Sequence, residues 1–186
     1  SWRVLGYVRN ARKEYDKAID VLHKALKIDS TDAQAWVELR SSYERLKQIE
    51  KAARAFKQVL RLRPGDPVTA NYLGYMWAEQ GTMLDSAKTL VEDALEKDPD
   101  NGAYLDSYAW VYYQMGDTQK AYDYISKALE HIDDDPVVFE HLGDILLEKG
   151  DHRGALDAYR KSLELDPQER AEEIRRKVES LEESLQ

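Results

Sequence analysis

His141 and Asp144 stand three residues apart in a stretch with helical spacing, which places both on one face and could offer two ligands to a metal ion. Two ligands make a poor metal site, so His141 is read as an ordinary surface histidine. The acids Asp133, Asp134 and Asp135 could serve acid–base chemistry, but they fall in a predicted turn, where helix capping explains them better. The sequence contains no glycine-rich phosphate loop, no His-Glu-x-x-His and no serine in an elbow context. With no cysteine, disulfides, thiolate metal sites and thiol nucleophiles are excluded together. The reading is of a chain without catalytic residues, metal or cofactor. The chemistry that remains is recognition, through aromatic rings with polar handles set among carboxylates.

Those residues are positioned by a unit that the chain repeats. From Ala33 to Asp66, Trp36, Leu39 and Tyr43 lie three and four residues apart, a polar break follows, and Ala52, Phe56, Val59 and Leu60 resume the spacing until Pro64. That is a pair of amphipathic helices. A shift of thirty-four residues to the left lands on Trp2, Leu5, Gly6, Ala18, Leu22 and Leu26. Shifts to the right land on Leu73, Gly74, Trp77, Ala87 and Val91, then on Leu105, Tyr108, Ala109, Ala121 and Ile125, then on Phe139, Leu142, Gly143, Ala155 and Tyr159. The third unit is one residue longer, within Gly81-Thr82-Met83-Leu84-Asp85 between its helices, where an insertion costs little.

The order Trp, Leu, Tyr, Ala, Phe, Pro at these separations resembles the tetratricopeptide repeat, a helix-turn-helix unit of thirty-four residues. The fold expected is an all-α right-handed solenoid of five repeats over 1–32, 33–66, 67–101, 102–135 and 136–169, closed by a capping helix over 170–186. In that last segment Ala171, Ile174, Val178, Leu181 and Leu185 form an apolar stripe, and its charged side is expected to face water. The opening Ser1-Trp2 falls inside a repeat. The sequence therefore predicts that further repeats precede it, or that this end pairs with another molecule. The joints carry their own signals. Asp66-Pro67, Asp135-Pro136 and Asp166-Pro167 are each expected to cap and start a helix, and Gly116-Asp117 and Gly150-Asp151 to end one helix and cap the next.

Net charge is −9, which argues against general nucleic-acid binding. Residues 1–66 carry fifteen Lys and Arg against nine acids, whereas 67–186 carry twelve against twenty-seven. No apolar run reaches the roughly twenty residues of a membrane helix.

Residues not demanded by the repeat's own packing occupy places two, five, nine, twelve and thirteen of each first helix. At about 100° per residue these places centre roughly 140° away from the packing positions. In tetratricopeptide proteins that face resembles the lining of a concave groove that holds peptides or helices of partner proteins. Here it carries Asn71, Tyr75 and Glu79, then Asp106, Trp110, Tyr113 and Gln114, then Glu140, Asp144, Leu147 and Glu148. The expected partner-binding set is Asn71, Tyr75, Asp106, Trp110, Tyr113, Gln114, Glu140 and Asp144, with carboxylates that favour Lys or Arg on the ligand. The same rings could instead pack on the next repeat and thicken the core. The Lys, Asn and Arg clamp by which chaperone-binding members grip a terminal carboxylate is not met at Arg3, Tyr7, Val37, Ser41, Asn71 and Tyr75. Runs such as Asn71-Tyr72-Leu73-Gly74-Tyr75 and Glu140-His141-Leu142-Gly143-Asp144 are similar to the C-terminal arrays of bacterial members, envelope lipoprotein adaptors among them. The functional expectation is a non-catalytic adaptor for another protein. The alternative is self-assembly, the basic first end of one copy docking on the acidic body of the next.

Overall fold

Helix pairs follow one another along the chain: α1 (Trp2–Ala11) with α2 (Tyr15–Ile28), α3 (Ala33–Arg45) with α4 (Ile49–Leu62), α5 (Pro67–Glu79) with α6 (Leu84–Lys97), α7 (Gly102–Gln114) with α8 (Thr118–Leu129), and α9 (Pro136–Glu148) with α10 (His152–Glu164). A 3-10 turn at Gln168–Arg170 leads into α11 (Ala171–Ser184). The computed structural model describes residues 1–185; Gln186, the last residue of the expected capping helix, lies outside the described residues. Among the described residues there is no strand, and no helix is long and apolar enough to cross a membrane.

Each hairpin closes because two helices approach within the reach of an alanine. Ala18, Ala52, Ala87, Ala121 and Ala155 are all fully buried at this crossing. On the facing helix, Gly143 lies so near Tyr159 that a Cβ there would sit 2.3 Å from the ring. The second helix of one pair then packs on the first helix of the next, α2 on α3, α4 on α5, α6 on α7, α8 on α9 and α10 on α11. First helices also line up directly, α1 with α3, α5 with α7 and α7 with α9, which makes them the inner wall of the array.

Caps set the helix starts. Asp32, Asp66, Asn101, Asp117, Asp135 and Asp151 each accept a backbone N–H from the first turn that follows, and Pro67 and Pro136 open α5 and α9. Gly116 and Gly150 take the left-handed conformation, both with φ of 81°, between α7 and α8 and between α9 and α10. Asp166-Pro167 departs from expectation. No α-helix begins there: Asp166 is itself left-handed, with φ of 60°, and Pro167 precedes the 3-10 turn. The reason is its place in the repeat, since this pair follows α10 as Asp98-Pro99 follows α6 and so marks the end of a second helix, not the start of a first.

The buried interior forms three clusters along the array. One runs from Ala18 to Met76, one from Ala78 to Ile145, and one joins α9 and α10 to Ile174 and Leu181 of α11. Trp77 packs against both of the first two clusters.

Candidate functional site

The inner wall of α5, α7 and α9 holds most of the expected residues, arranged around one that the sequence reading set aside. His141 is fully buried, which overturns the surface-histidine reading. Its ring stacks on Trp110 at 4.1 Å and 15°, Trp110 stacks on Tyr113 at 4.8 Å and 15°, and Tyr75 lies tilted at 5.9 Å from the imidazole. Nδ1 is 2.8 Å from Asp106 Oδ1, and Nε2 is 3.9 Å from Glu79 Oε1. Burial works against charge on the imidazole, but the two carboxylates more than offset it and raise its pKa to about 9. His141 is therefore an imidazolium at neutral pH, with Nδ1–H donating to Asp106. An imidazolium on an indole face also gains cation–π attraction.

Beside it, Glu140 is fully buried and meets two cations from the end of the chain. Arg170 Nη2 and Lys177 Nζ each lie 3.0 Å from its Oε1, and Arg170 Nε lies 2.5 Å from Oε2. Lys177 also reaches Asp144 Oδ1 at 2.7 Å, and Arg170 comes within 3.8 Å of Glu79 on α5. Burial alone would lower the Arg170 and Lys177 pKa values, yet the facing carboxylates drive both upward. A charge as buried as Glu140 persists only with such partners. The charged side of the closing segment was expected to face water; at Arg170 and Lys177 it turns inward because Glu140 requires cations.

Trp110, Asp106, Asn71 and Glu140 are buried, Tyr75, Tyr113 and Asp144 are half-buried, and Gln114 lies at the far end of α7 beside Gly81. Burial drives the Tyr75 hydroxyl pKa well up, with Glu79 and Asp106 adding to the effect. Asn71 takes no part in the ion pairs but shares with Tyr75 and Asp106 an open cavity of about 400 Å³ that Tyr72, Tyr104, Ser107 and Val138 also help to line. Its Oδ1 is buried and meets no donor. Among the described residues, no group of three His, Asp or Glu side chains converges to hold a metal ion.

The sequence reading missed the roles of His141, Arg170 and Lys177. The only sign of them was an interruption of pattern: a polar residue at His141 between packing positions, and two cations on a segment where the period has stopped.

Profiles described as tetratricopeptide repeat match residues 10–71, 41–102, 104–130 and 136–169, and so reach all five helix pairs. The chain belongs to the tetratricopeptide repeat family. Among relatives, it is 27% identical over 131 residues to the TPR repeat-containing protein PA4667 of Pseudomonas aeruginosa, covering 70% of this chain and 22% of that one. It is 27% identical over 173 residues to a NatA auxiliary subunit, N-alpha-acetyltransferase 16, of Homo sapiens, covering 88% of this chain and 20% of that one. The chain thus spans about a fifth of the length of these relatives. In structure it is similar to PilW, a type IV pilus biogenesis factor, with a TM-score of 0.78 at 19% identity over 100% of this chain and 90% of PilW. It is likewise similar to TTC0263 of Thermus thermophilus, with a TM-score of 0.73 at 24% identity over 97% and 96% of the two chains. At these identities the likeness is one of fold. Tetratricopeptide repeat proteins are generally non-catalytic and bind other proteins, and the human relative is by name an auxiliary subunit.

Proposed function

We propose that this chain is a non-catalytic adaptor that holds a segment of a partner protein against the inner wall of α5, α7 and α9. On this reading the helix pairs divide the chain into five repeats over 1–169, and α11 closes the array. The observation that carries it is Asn71. Its amide lines an open cavity while its oxygen, turned inward, meets no donor, so a half-turn of the amide would present that acceptor to a ligand N–H without breaking an internal bond. Asp106 and Tyr75 flank the same cavity and suit a ligand with donors or positive charge. The test compares proteins retained from the source organism's extract by the chain and by its Asn71→Ala variant. A partner retained at least tenfold less by the variant, at unchanged melting temperature, is the expected result; identical retention overturns the reading.

A second reading is favoured by charge. Equivalent clefts on the outer side differ in sign: one of about 500 Å³ is lined by His23, Lys51, Arg54 and Lys57, and one of about 800 Å³ by Glu92, Asp93, Glu96 and Glu130. Docking of one cleft on the other would join copies head to tail. Sedimentation at low salt should then show association that 0.5 M salt abolishes; a single monomer species at high concentration and low salt removes this reading.

A further inference from the structure

Asp106 of α7 is matched by His141 from within the wall, whereas Glu140 and Asp144 of α9, with Glu79 of α5 beside them, take Arg170 and Lys177 from the segment after Pro167. Arg170, the residue that caps α11 at the end of the 3-10 turn, and Lys177 are seven residues apart, about two turns of helix, so the wall is holding the basic edge of the start of α11. Three features indicate that this edge is seated on the wall and not continuous with it. First, α11 packs chiefly on α10: Ile174 and Leu181 share a cluster with Ala155, Leu156 and Tyr159, to which α9 adds Leu146. Second, the chain enters α11 through two non-glycine residues in the left-handed region, Asp166 at φ 60° and Gln168 at φ 49°, a route taken by no other connection between successive pairs. Third, both cations are partly solvated, whereas Glu140 beneath them is fully buried. If the segment lifts, it returns its cations to water easily and leaves behind a site that only another cation can satisfy.

We propose that Glu79, Glu140 and Asp144 form a recognition face for a partner helix presenting Arg and Lys two turns apart, and that Arg170 and Lys177 occupy it until such a helix displaces them. This rests on the groove reading and names the chemistry of its ligand. A neutral or acidic segment is rejected, because it would leave Glu140 unpaired. The tethered segment competes at an effective concentration in the millimolar range, so free basic helices bind the resting chain weakly.

The probe is a fluorescent peptide spanning residues 166–186 of this chain, titrated into the full chain and into a full-chain variant carrying Arg170→Glu and Lys177→Glu, whose own segment is repelled. The expected result is at least tenfold tighter peptide binding by the variant, lost when the peptide carries Arg170→Ala and Lys177→Ala. Equal binding by both chains, or a variant that no longer melts cooperatively, overturns the proposal by showing the segment to be a fixed part of the core. Hydrogen exchange on the unaltered chain gives an independent check. Amides of α11 should exchange before those of α9 and α10, and simultaneous exchange counts against a displaceable segment. These failures would leave the Asn71 cavity untouched, so the groove reading stands or falls on its own variant.

Discussion

At residue scale, the buried imidazolium ties stability to pH. His141 keeps its proton in the folded chain up to about pH 9, while the unfolded chain releases it near the ordinary 6.5. Between those values the folded state binds more protons, so its contribution is fully present below about 6.5 and is lost as pH rises through 9. The expected loss is about 3 kcal/mol, measured as the fall in urea-unfolding free energy from pH 6 to pH 10. His141→Gln, which cannot hold the charge, should flatten that decline while lowering stability at pH 6. Trp110 supports the same ring from the other side. Trp110→Ala should therefore cost about 3–5 kcal/mol in the same measurement. Loss of partner binding by that variant would report on folding as much as on contact. For this reason the test of the groove belongs to Asn71, whose removal leaves no cavity comparable to an indole.

At the scale of helices and turns, the repeat itself sets the cost of change. Between α7 and α8 and between α9 and α10 the left-handed turn position is glycine, but between α1 and α2 it is Lys13, with φ of 60°, and between α3 and α4 it is Lys47, with φ of 56°. A side chain in that conformation costs roughly 1–2 kcal/mol. Lys13→Gly and Lys47→Gly should each raise the melting temperature, with gains of about 1 kcal/mol, whereas Gly116→Lys should lower it by a similar amount. At the helix crossings the sign reverses. Ala52→Leu or Ala121→Leu should destabilise by about 1–3 kcal/mol, because neither site has room for the added carbons. These features were legible in the sequence because they recur: a period of thirty-four residues exposes its own caps, glycines and alanines by repetition. The site was legible only in part, for the same reason. Place on a helix wheel put Tyr75, Asp106, Trp110, Glu140 and Asp144 on one wall. What makes that wall ionic is contact between units, Asp106 to His141 across thirty-five residues and Glu140 to Lys177 across thirty-seven, and no period reports it. Asp166-Pro167 was misplaced because two different joints of the repeat use the same dipeptide.

For the whole molecule, the joints between successive pairs differ, and in a solenoid stability is carried by neighbours. First helices pack directly across the joint between the first and second pairs and across that between the third and fourth. At the joint between the second and third pairs, α3 and α5 have no comparable contact, and α4 on α5 carries the connection. Arg40 is the residue that reaches across this joint. It occupies the place held by Gly6, Gly74, Ala109 and Gly143 in the other pairs, which faces the second helix of its own pair, and its guanidinium lies over Phe56 of α4 at 4.7 Å and Tyr72 of α5 at 5.3 Å. The change in net charge falls at the same joint, so residues 1–66 also bear the repulsion of an excess of cations, fifteen against nine acids. Both effects weaken the same end of the array. Native-state hydrogen exchange should show amides of α1 to α4 opening together at a lower free energy than those of α5 to α10, with the gap narrowing as salt is raised and repulsion is screened. Arg40→Gly should not close the gap, since it removes the cation–π contacts without supplying side chains to bridge α3 and α5. If all ten helices instead exchange in one step at every salt concentration, α4 on α5 is strong enough to couple the two parts, and the array unfolds as a single unit despite its uneven joints.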